Sequence, residues 1–571
     1  MDLAAVAKNM QHWLSYSMNR FVPETILIVG FLLAIIMDLF IRRQESKKFT
    51  GYFVLFVFVA SGVAAAMQWL PANPASVKAW EGGKLIFPYT QTLFSPQEDP
   101  RGGGVFMNYA MIVVDNFSVF FKMLISLTGV FIVLISLGSN EIGERKTRLG
   151  EYYSLLLAMA VGMYLMPAST DLLMMYISLE LVSISSYILA GFMKDETRSI
   201  EASMKYLLYG AFSSGLMIYG FSLLYGLTGT TNIVAINQVL SVTARAGQST
   251  NSLGLWVATI LSMAGMGYKI SAAPFHFWTP DVYEGAPIPV TALLSVASKA
   301  AGFGLLMRFL LFTFPASPVT GSPIIDWQLM VAVLAAITMS LGNFAALQQS
   351  NIKRMLAYST IAHAGYMLVG LVAAGMQVYA YGKSPAGMGY AGVVSILIYF
   401  VAYLFMNIGA FYVVMLIENK LGSEEIEDYR GMAKRSPLLA VSLAIFLVSL
   451  TGIPLTVGFI GKLFVFTSIL QRDPMTHQIK FLWLAVVAVL NSVVSLYYYV
   501  RVMAAMFIKK STEDEMADQA GMTVSSDGAL TFGWQSKALI FSFIVPVLVL
   551  GVFFQPLVSF TENVIRFFSM Q

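Results

Sequence analysis

The sequence predicts an all-α polytopic membrane protein of about 14 transmembrane helices, built around two inverted five-helix repeats (spans 4–8 and 9–13) whose helices 7 and 12 are interrupted. Three observations predict it. Hydrophobic residues make up 57% of the chain, charged residues only 12%, and the mean hydropathy is +0.72, whereas soluble domains carry about 25% charged residues. The apolar residues fall in long continuous runs, not in the short alternating segments of a β-barrel. Two of those runs, five apart, are broken by glycine and proline close to a lysine, a pattern of internally repeated transporters.

The runs begin with an N-terminal group, residues 1–150, at roughly 22–41, 52–70 and 111–137. Met1 to Arg20 has no apolar core of a secretory leader, so the first run is expected to act as the insertion signal. The first repeat, 151–312, holds runs at 151–167, 170–192, 203–227, 254–277 and 288–312. The second, 326–507, holds runs at 326–346, 354–375, 391–417, 437–468 and 481–507, and residues 508–571 supply a loop and a last run at 537–566. Together these make a single integral membrane domain, 1–571. Five crossings is an odd number, so the second copy enters the bilayer from the opposite side, and the repeats are inverted. Lysine and arginine concentrate in the loops of one side, at Arg42, Arg43, Arg145, Lys146, Lys434 and Arg435 among others, which places both termini on the outer side.

Three connections, 71–110, 418–436 and 508–536, read as solvated linkers or partner contacts. Gly102 to Gly104 follows no strand and opens no helix, so it is no nucleotide fingerprint. With no cysteine, the chain cannot form a disulfide or hold a cysteine-ligated iron-sulfur cluster or haem. The histidines, His12, His276, His363 and His477, lack any paired metal-ligand spacing. A formal charge of +4 spread over the loops does not suit nucleic acid.

A charge at the centre of a spanning helix costs roughly 2.5–3.5 kcal/mol, so each one needs a partner or a use. Glu180 lies mid-run in YISLELVSISSYIL (176–189) and is either a pair-former or a proton carrier; the bland alternative is a helix-locking ion pair. Lys269 stands five residues before the helix-breaking Pro274, and Lys462 follows Gly452, Pro454, Gly458 and Gly461. Lys299, among small residues in LLSVASKAAGFG (293–304), is too central to snorkel. Lys205 lies nearer a helix end, where it can snorkel or pair with Glu201 at i, i+4. His363, with Tyr358, Ser359, Thr360 and Tyr366 nearby, is a relay candidate or a satisfied packing residue. His276 reads as a local hydrogen-bonding residue, and Lys122 and Arg501 as weaker candidates. The central runs offer four lysines against one evident deep carboxylate, Glu180, so some lysines are expected to exchange protons instead of holding static pairs.

These segments, with SIEASMKYLLYGAFSS (199–214), GYKISAAPFHFWTPDVYEGAP (267–287), NIKRMLAYSTIAHAGYMLVG (351–370) and TGIPLTVGFIGKLFVF (451–466), resemble the antiporter-like membrane subunits of respiratory complex I over about residues 110–510. The resemblance implies a proton-translocating subunit of an NAD(P)H-quinone oxidoreductase in the bacterial cytoplasmic membrane. Its partners would be the other membrane subunits, a peripheral redox arm, quinone as substrate and the lipid bilayer, with flavin and iron-sulfur clusters on other chains and no cofactor here. It implies a pair between Glu180 and Lys269, a central relay at Lys299, an exit-side role for Lys462, and supporting positions for Lys205 and His363. The branch without a long C-terminal extension, and with lysine at position 462, fits best. Similar chains occur in Mrp-type cation/proton antiporters and membrane-bound hydrogenases, which is the alternative reading; a scaffold that only bridges pumping subunits is a third.

Overall fold

A computed structural model describes residues 18, 20–40, 47–69, 91–93, 110–143, 148–245, 252–315, 324–380, 391–470, 479–509 and 532–565. Gly102 to Gly104, His12, His477 and most of the 71–110 and 508–536 connections lie outside the described residues. Among the described residues, 13 helices are long and apolar enough to cross a membrane.

The N-terminal group contains α1 (Val22–Phe40), α2 (Lys47–Met67) and α3 (Asn116–Leu137). Two short strands that the hydropathy pattern does not announce, β1 (Gln91–Leu93) and β2 (Ile112–Val114), pair antiparallel ahead of α3, with Thr92 opposite Val113. Asp115 then starts α3 with a capping box, its carboxylate accepting from the Ser118 amide at 2.8 Å. A one-turn helix, α4 (Asn140–Gly143), follows.

The first block continues with α5 (Leu149–Ala168), α6 (Leu172–Ala190), α7 (Thr197–Thr228), the amphipathic α8 (Ile233–Arg245) and α9 (Ser252–Ile270). After a break come α10 (Trp278–Gly285), α11 (Ile288–Leu293), a π-helical turn (Leu294–Ser298) and α12 (Lys299–Thr313). The second block contains α13 (Trp327–Ala346), α14 (Ile352–Ala380), α15 (Ala391–Leu421), the one-turn α16 (Met432–Arg435), α17 (Pro437–Thr451), α18 (Val457–Ile469) and α19 (Leu482–Phe507). The chain closes with α20 (Trp534–Val552) and α21 (Gln555–Ile565).

The helices of the two blocks close in the same order. In the first, α5 packs on α6, α6 on α7, α7 on α9, α9 on α12, and α12 returns to α5. In the second, α13 packs on α14, α14 on α15, α15 on α17 and α18, α17 on α19, and α19 returns to α13. The core sits where the blocks meet. The span from Ile288 to Thr313 has an apolar window that is 100% buried, against 28% for α1 and for α20 at the periphery.

The interruption expected in the run 437–468 divides it into two helices, α17 and α18, because Gly452 takes the left-handed conformation (φ 86°) and Pro454 cannot continue the ladder. Two expectations are corrected. The run 537–566 ends at Val552, and α21 lies beyond it as a separate amphipathic helix. The 418–436 connection is docked: Tyr429 and Met432 are buried, and Glu424 binds Lys353 Nζ at 2.8 Å and Asn351 Nδ2 at 2.9 Å.

Candidate functional site

Glu180 sits on α6, half-buried, facing a cavity of about 410 Å³ between α6 and α7 that is lined by Tyr176, Tyr187, Leu207 and Ser214. Its Oε1 is buried with no hydrogen-bond partner. Lys269, wholly buried on the last turn of α9, reaches Ser183 Oγ and Ser186 Oγ of α6, each at 3.5 Å. The direct Glu180–Lys269 pair implied by the resemblance is therefore not closed. No ion pair joins them among the described residues, and the ammonium lies instead 3.5 Å from two serines one and two turns further along α6.

Lys269 leads to the central helix through a close approach. A Cβ built on Gly302 would lie 3.4 Å from Lys269 Cγ, so the lysine stem rests against α12 one turn from Lys299. Lys299 is buried and donates to the Thr360 carbonyl of α14 at 3.2 Å, crossing from the first block to the second. It directly follows the π-helical turn, a distortion found frequently at functional sites.

One turn beyond Thr360, His363 is buried between two hydroxyls. Nδ1 lies 2.7 Å from Tyr399 Oη and Nε2 lies 3.3 Å from Tyr499 Oη, which is itself 2.5 Å from Ser359 Oγ. A hydroxyl can donate or accept, so either imidazole tautomer is satisfied, and a proton can enter at one nitrogen while another leaves the second. Tyr366, on the same helix, presents its ring to Lys462 Nζ at 4.8 Å and accepts from Asn343 Nδ2 at 3.0 Å.

Lys462, on α18, donates to the Thr451 carbonyl at 2.7 Å and to Ser492 Oγ at 3.0 Å. Thr451 is the last residue of α17, so the ammonium caps the carbonyl end of a half-helix, where the helix dipole favours a cation. Lys269 lies in the last turn of α9, just before the other break. Each break also contains one non-glycine residue in the left-handed region, Ser271 (φ 62°) and Leu455 (φ 72°). Gly452 carries a further constraint: its Cβ would lie 2.8 Å from Lys462 Cδ. Gly452→Ala is expected to cost about 1–2 kcal/mol for the backbone alone and to displace the Lys462 stem. A lower thermal transition of the purified protein would show it.

Lys205 is not on this axis. It is partly exposed and binds Glu201 at 2.7 Å and Asp281 at 2.6 Å; Asp281 also binds Arg354 at 2.8 Å, and Arg354 binds Glu284 at 2.7 Å. Burial pushes the Asp281 carboxyl up, but the hydrogen bonds from Lys205 and Arg354 outweigh it and hold the group below its ordinary value. Its stabilising contribution is thus present above the unfolded value of about 3.9 and is lost as pH falls through the lower folded value. Asp281→Asn is expected to lower the thermal transition at pH 7, and its effect is expected to shrink progressively as the pH falls below the unfolded carboxylate value. Nearby, a cavity of about 560 Å³ is lined by Glu141, Glu196, Glu418, Glu424 and the buried Lys353. Burial raises the Glu141 carboxyl, opposed by Lys353 and by the Ile288 amide that it accepts at 2.9 Å.

Further findings bear on the sequence reading. Glu180 is not the sole deep carboxylate: Glu24, 1% exposed, pairs with Lys122 at 2.5 Å, and Asp115 pairs with Arg308. Lys122, a weak candidate, is thereby wholly buried and paired. His276, read as a local hydrogen-bonding residue, is hydrogen-bonded to the Pro274 backbone, and its ring packs on Phe277. Arg501 donates to the Leu347 carbonyl at 2.9 Å. Sequence reasoning also missed Tyr399, Tyr499, Thr451 and Ser492. The tyrosines were detectable as phenols within apolar runs, whereas a backbone carbonyl and a serine give no signal. Among the described residues no group of three or more His, Asp or Glu is placed to hold a metal ion.

Comparison with known proteins gives a consistent picture. A family model described as NADH:quinone oxidoreductase/Mrp antiporter, TM, matches residues 169–492. NADH-quinone oxidoreductase subunit N 2 of Chloroherpeton thalassium is 43% identical over 550 residues, covering 96% of this chain and 94% of its own. A chain of respiratory complex I from Thermus thermophilus superposes with a TM-score of 0.64 at 25% identity, over 94% of this chain and 98% of that one. A chain of the Mrp complex from Dietzia sp. gives a TM-score of 0.71 at 19% identity over 96% and 97% of the two chains, a likeness of fold.

Proposed function

The chain belongs to the NADH:quinone oxidoreductase/Mrp antiporter transmembrane family, and from that premise we propose how its buried residues move protons. It is an integral membrane protein and a proton-translocating subunit of a complex I-type NADH-quinone oxidoreductase, assembled with other membrane subunits. The observation that carries the mechanism is a series of buried protonatable groups spread through both blocks, Lys269, Lys299, His363 and Lys462, each held by hydroxyls or a helix carbonyl.

In this reading, quinone reduction elsewhere in the assembly changes the charge near Glu180. The carboxylate lies on the same helix as Ser183 and Ser186, so a change in its charge alters how strongly α6 holds the Lys269 ammonium. Lys269 then releases a proton toward Lys299. His363 receives it by tautomer exchange between Tyr399 and Tyr499, and Lys462 passes it out from the carbonyl end of α17. Lys205 acts with Asp281 and Arg354 as a support at the end of α7 and carries no proton along the axis. Blocks 151–312 and 326–507 are the two inverted repeats, each supplying half of the route. Flavin, iron-sulfur clusters and the quinone site belong to partner chains, the peripheral arm among them. The membrane is the bacterial cytoplasmic one, with both termini outside.

The test uses the whole complex in sealed vesicles. Lys269→Ala and Glu180→Ala are each expected to lower proton uptake per quinone reduced while the complex stays assembled; undiminished uptake would reject the assignment. Sodium-dependent proton flux without any electron donor would instead support gradient-driven cation exchange. A mild-detergent pull-down recovering iron-sulfur and quinone-module subunits is the expected result for partners.

A further inference from the structure

Outside this axis, four helices bring polar side chains to one buried point. Glu24 of α1 and Lys122 of α3 are 1% and 0% exposed and 2.5 Å apart. Beside them, Tyr164 of α5 has its hydroxyl 3.1 Å from Ser61 Oγ of α2 and hydrogen-bonded to Ser126 Oγ, one turn along α3 from Lys122. Ser61 Oγ donates at 2.8 Å to the carbonyl of Pro23, the neighbour of Glu24. A close approach seats this cluster, since a Cβ on Gly62 would lie 2.9 Å from Ser126 Cβ.

A static lock is a poor account of this pair. A buried ion pair outperforms apolar packing only when hydrogen bonds fill its remaining lone pairs and protons. Here neither Glu24 oxygen nor Lys122 Nζ has a well-aligned hydrogen bond among the described residues, although three hydroxyls stand alongside. The pair therefore lies next to a chain of three hydrogen-bonded hydroxyls that does not hydrogen-bond to it. It is also mechanically connected to the axis: α3 packs against the π-helical turn and α12, and Phe121 lies 3.4 Å from where a Cβ on Gly304 would sit, one turn past Lys299.

We infer that Glu24 and Lys122, with the Ser61, Tyr164 and Ser126 hydroxyls, form a second protonatable site in the N-terminal helices that loads and releases a proton during turnover. On loading, hydronium in the aqueous phase gives up one proton to a serine hydroxyl at the end of the chain, each hydroxyl passes its own proton on as it takes the incoming one, and one O–H bond forms on the Glu24 carboxylate while one O–H bond of the hydronium breaks to leave water. The ammonium is retained, the cluster goes from net zero to +1, and no electron moves. Release is the reverse. The inference rests on the proton-translocating reading above.

The double variant Glu24→Leu with Lys122→Met removes both charges without leaving either unpaired. In vesicles containing the whole complex it is expected to retain assembly and quinone reduction but lose part of the proton uptake per quinone; full uptake would overturn the inference. Should that variant not assemble, the native complex is treated with N,N′-dicyclohexylcarbodiimide, which adds to protonated carboxyl groups in apolar surroundings. A mass-spectrometric adduct on the Glu24 peptide that increases during turnover is expected, and its absence during turnover overturns the proposal. Lys269→Ala is measured alongside. If it lowers uptake and the double variant does not, only this second site fails; if neither does, the axis itself fails.

Discussion

Replacing Lys299 by methionine is expected to slow proton transfer through this chain by about 100-fold or more while leaving the complex assembled. Methionine keeps the length and apolar stem of the side chain, so α12 loses no packing and opens no void. What disappears is the one ammonium that reaches from the first block to the Thr360 carbonyl in the second. Lys269 lies on one side of it, against Gly302, and His363 lies one turn beyond Thr360 on the other. With the link removed, a proton released by Lys269 has no titratable acceptor on α12. Proton uptake per quinone reduced is the measurement, and an unchanged ratio would mean that Lys299 only fills space. His363→Phe, which keeps a ring between Tyr399 and Tyr499 but removes both nitrogens, is expected to act in the same direction.

The second large effect is on stability. Arg308 is buried in α12, where it donates to Asp115 through both terminal nitrogens, at 2.8 and 2.9 Å, and through Nε to the Pro167 carbonyl at 2.8 Å. Phe117 and Phe312 lie against the guanidinium at 4.9 and 5.5 Å. One side chain thus ties α12 to α3 and α5. Arg308→Met would leave the Asp115 carboxylate buried without its countercharge, at a cost of about 3–5 kcal/mol. Loss of the assembled protein from membranes, or a sharply lower thermal transition, is the expected result. Asp115→Ser retains an N-cap for α3, so combining it with Arg308→Met should recover much of that loss. No recovery in the double variant would show that the contacts to Pro167 and the phenyl rings matter more than the ion pair.

The spans and the two broken helices were legible in the sequence for physical reasons. A bilayer requires about 20 apolar residues per crossing, and proline and glycine interrupt a helix by local geometry alone. The charges that stand out in such runs, Glu180, Lys269, Lys299, His363 and Lys462, were visible because each is costly there. Their partners were not. The Thr451 carbonyl beside Lys462, Thr360 beside Lys299, and the Tyr399 and Tyr499 hydroxyls around His363 come from other helices and carry no local signature. Lys205 shows the same limit from the other direction: Glu201 lies one turn away in sequence, whereas Asp281 and Arg354 arrive only through packing of α10 and α14.

By itself, then, the sequence determined that this is a helical membrane protein, where its helices run and break, and which residues are too polar for their surroundings, since all of these follow from interactions between neighbours in the chain and the solvent. The tertiary structure alone decided which of those residues meet. It separated Glu180 from Lys269 by two serines, took Lys205 off the axis, and buried Glu24 against Lys122, because such contacts depend on how distant helices pack, and packing leaves no mark in any one segment.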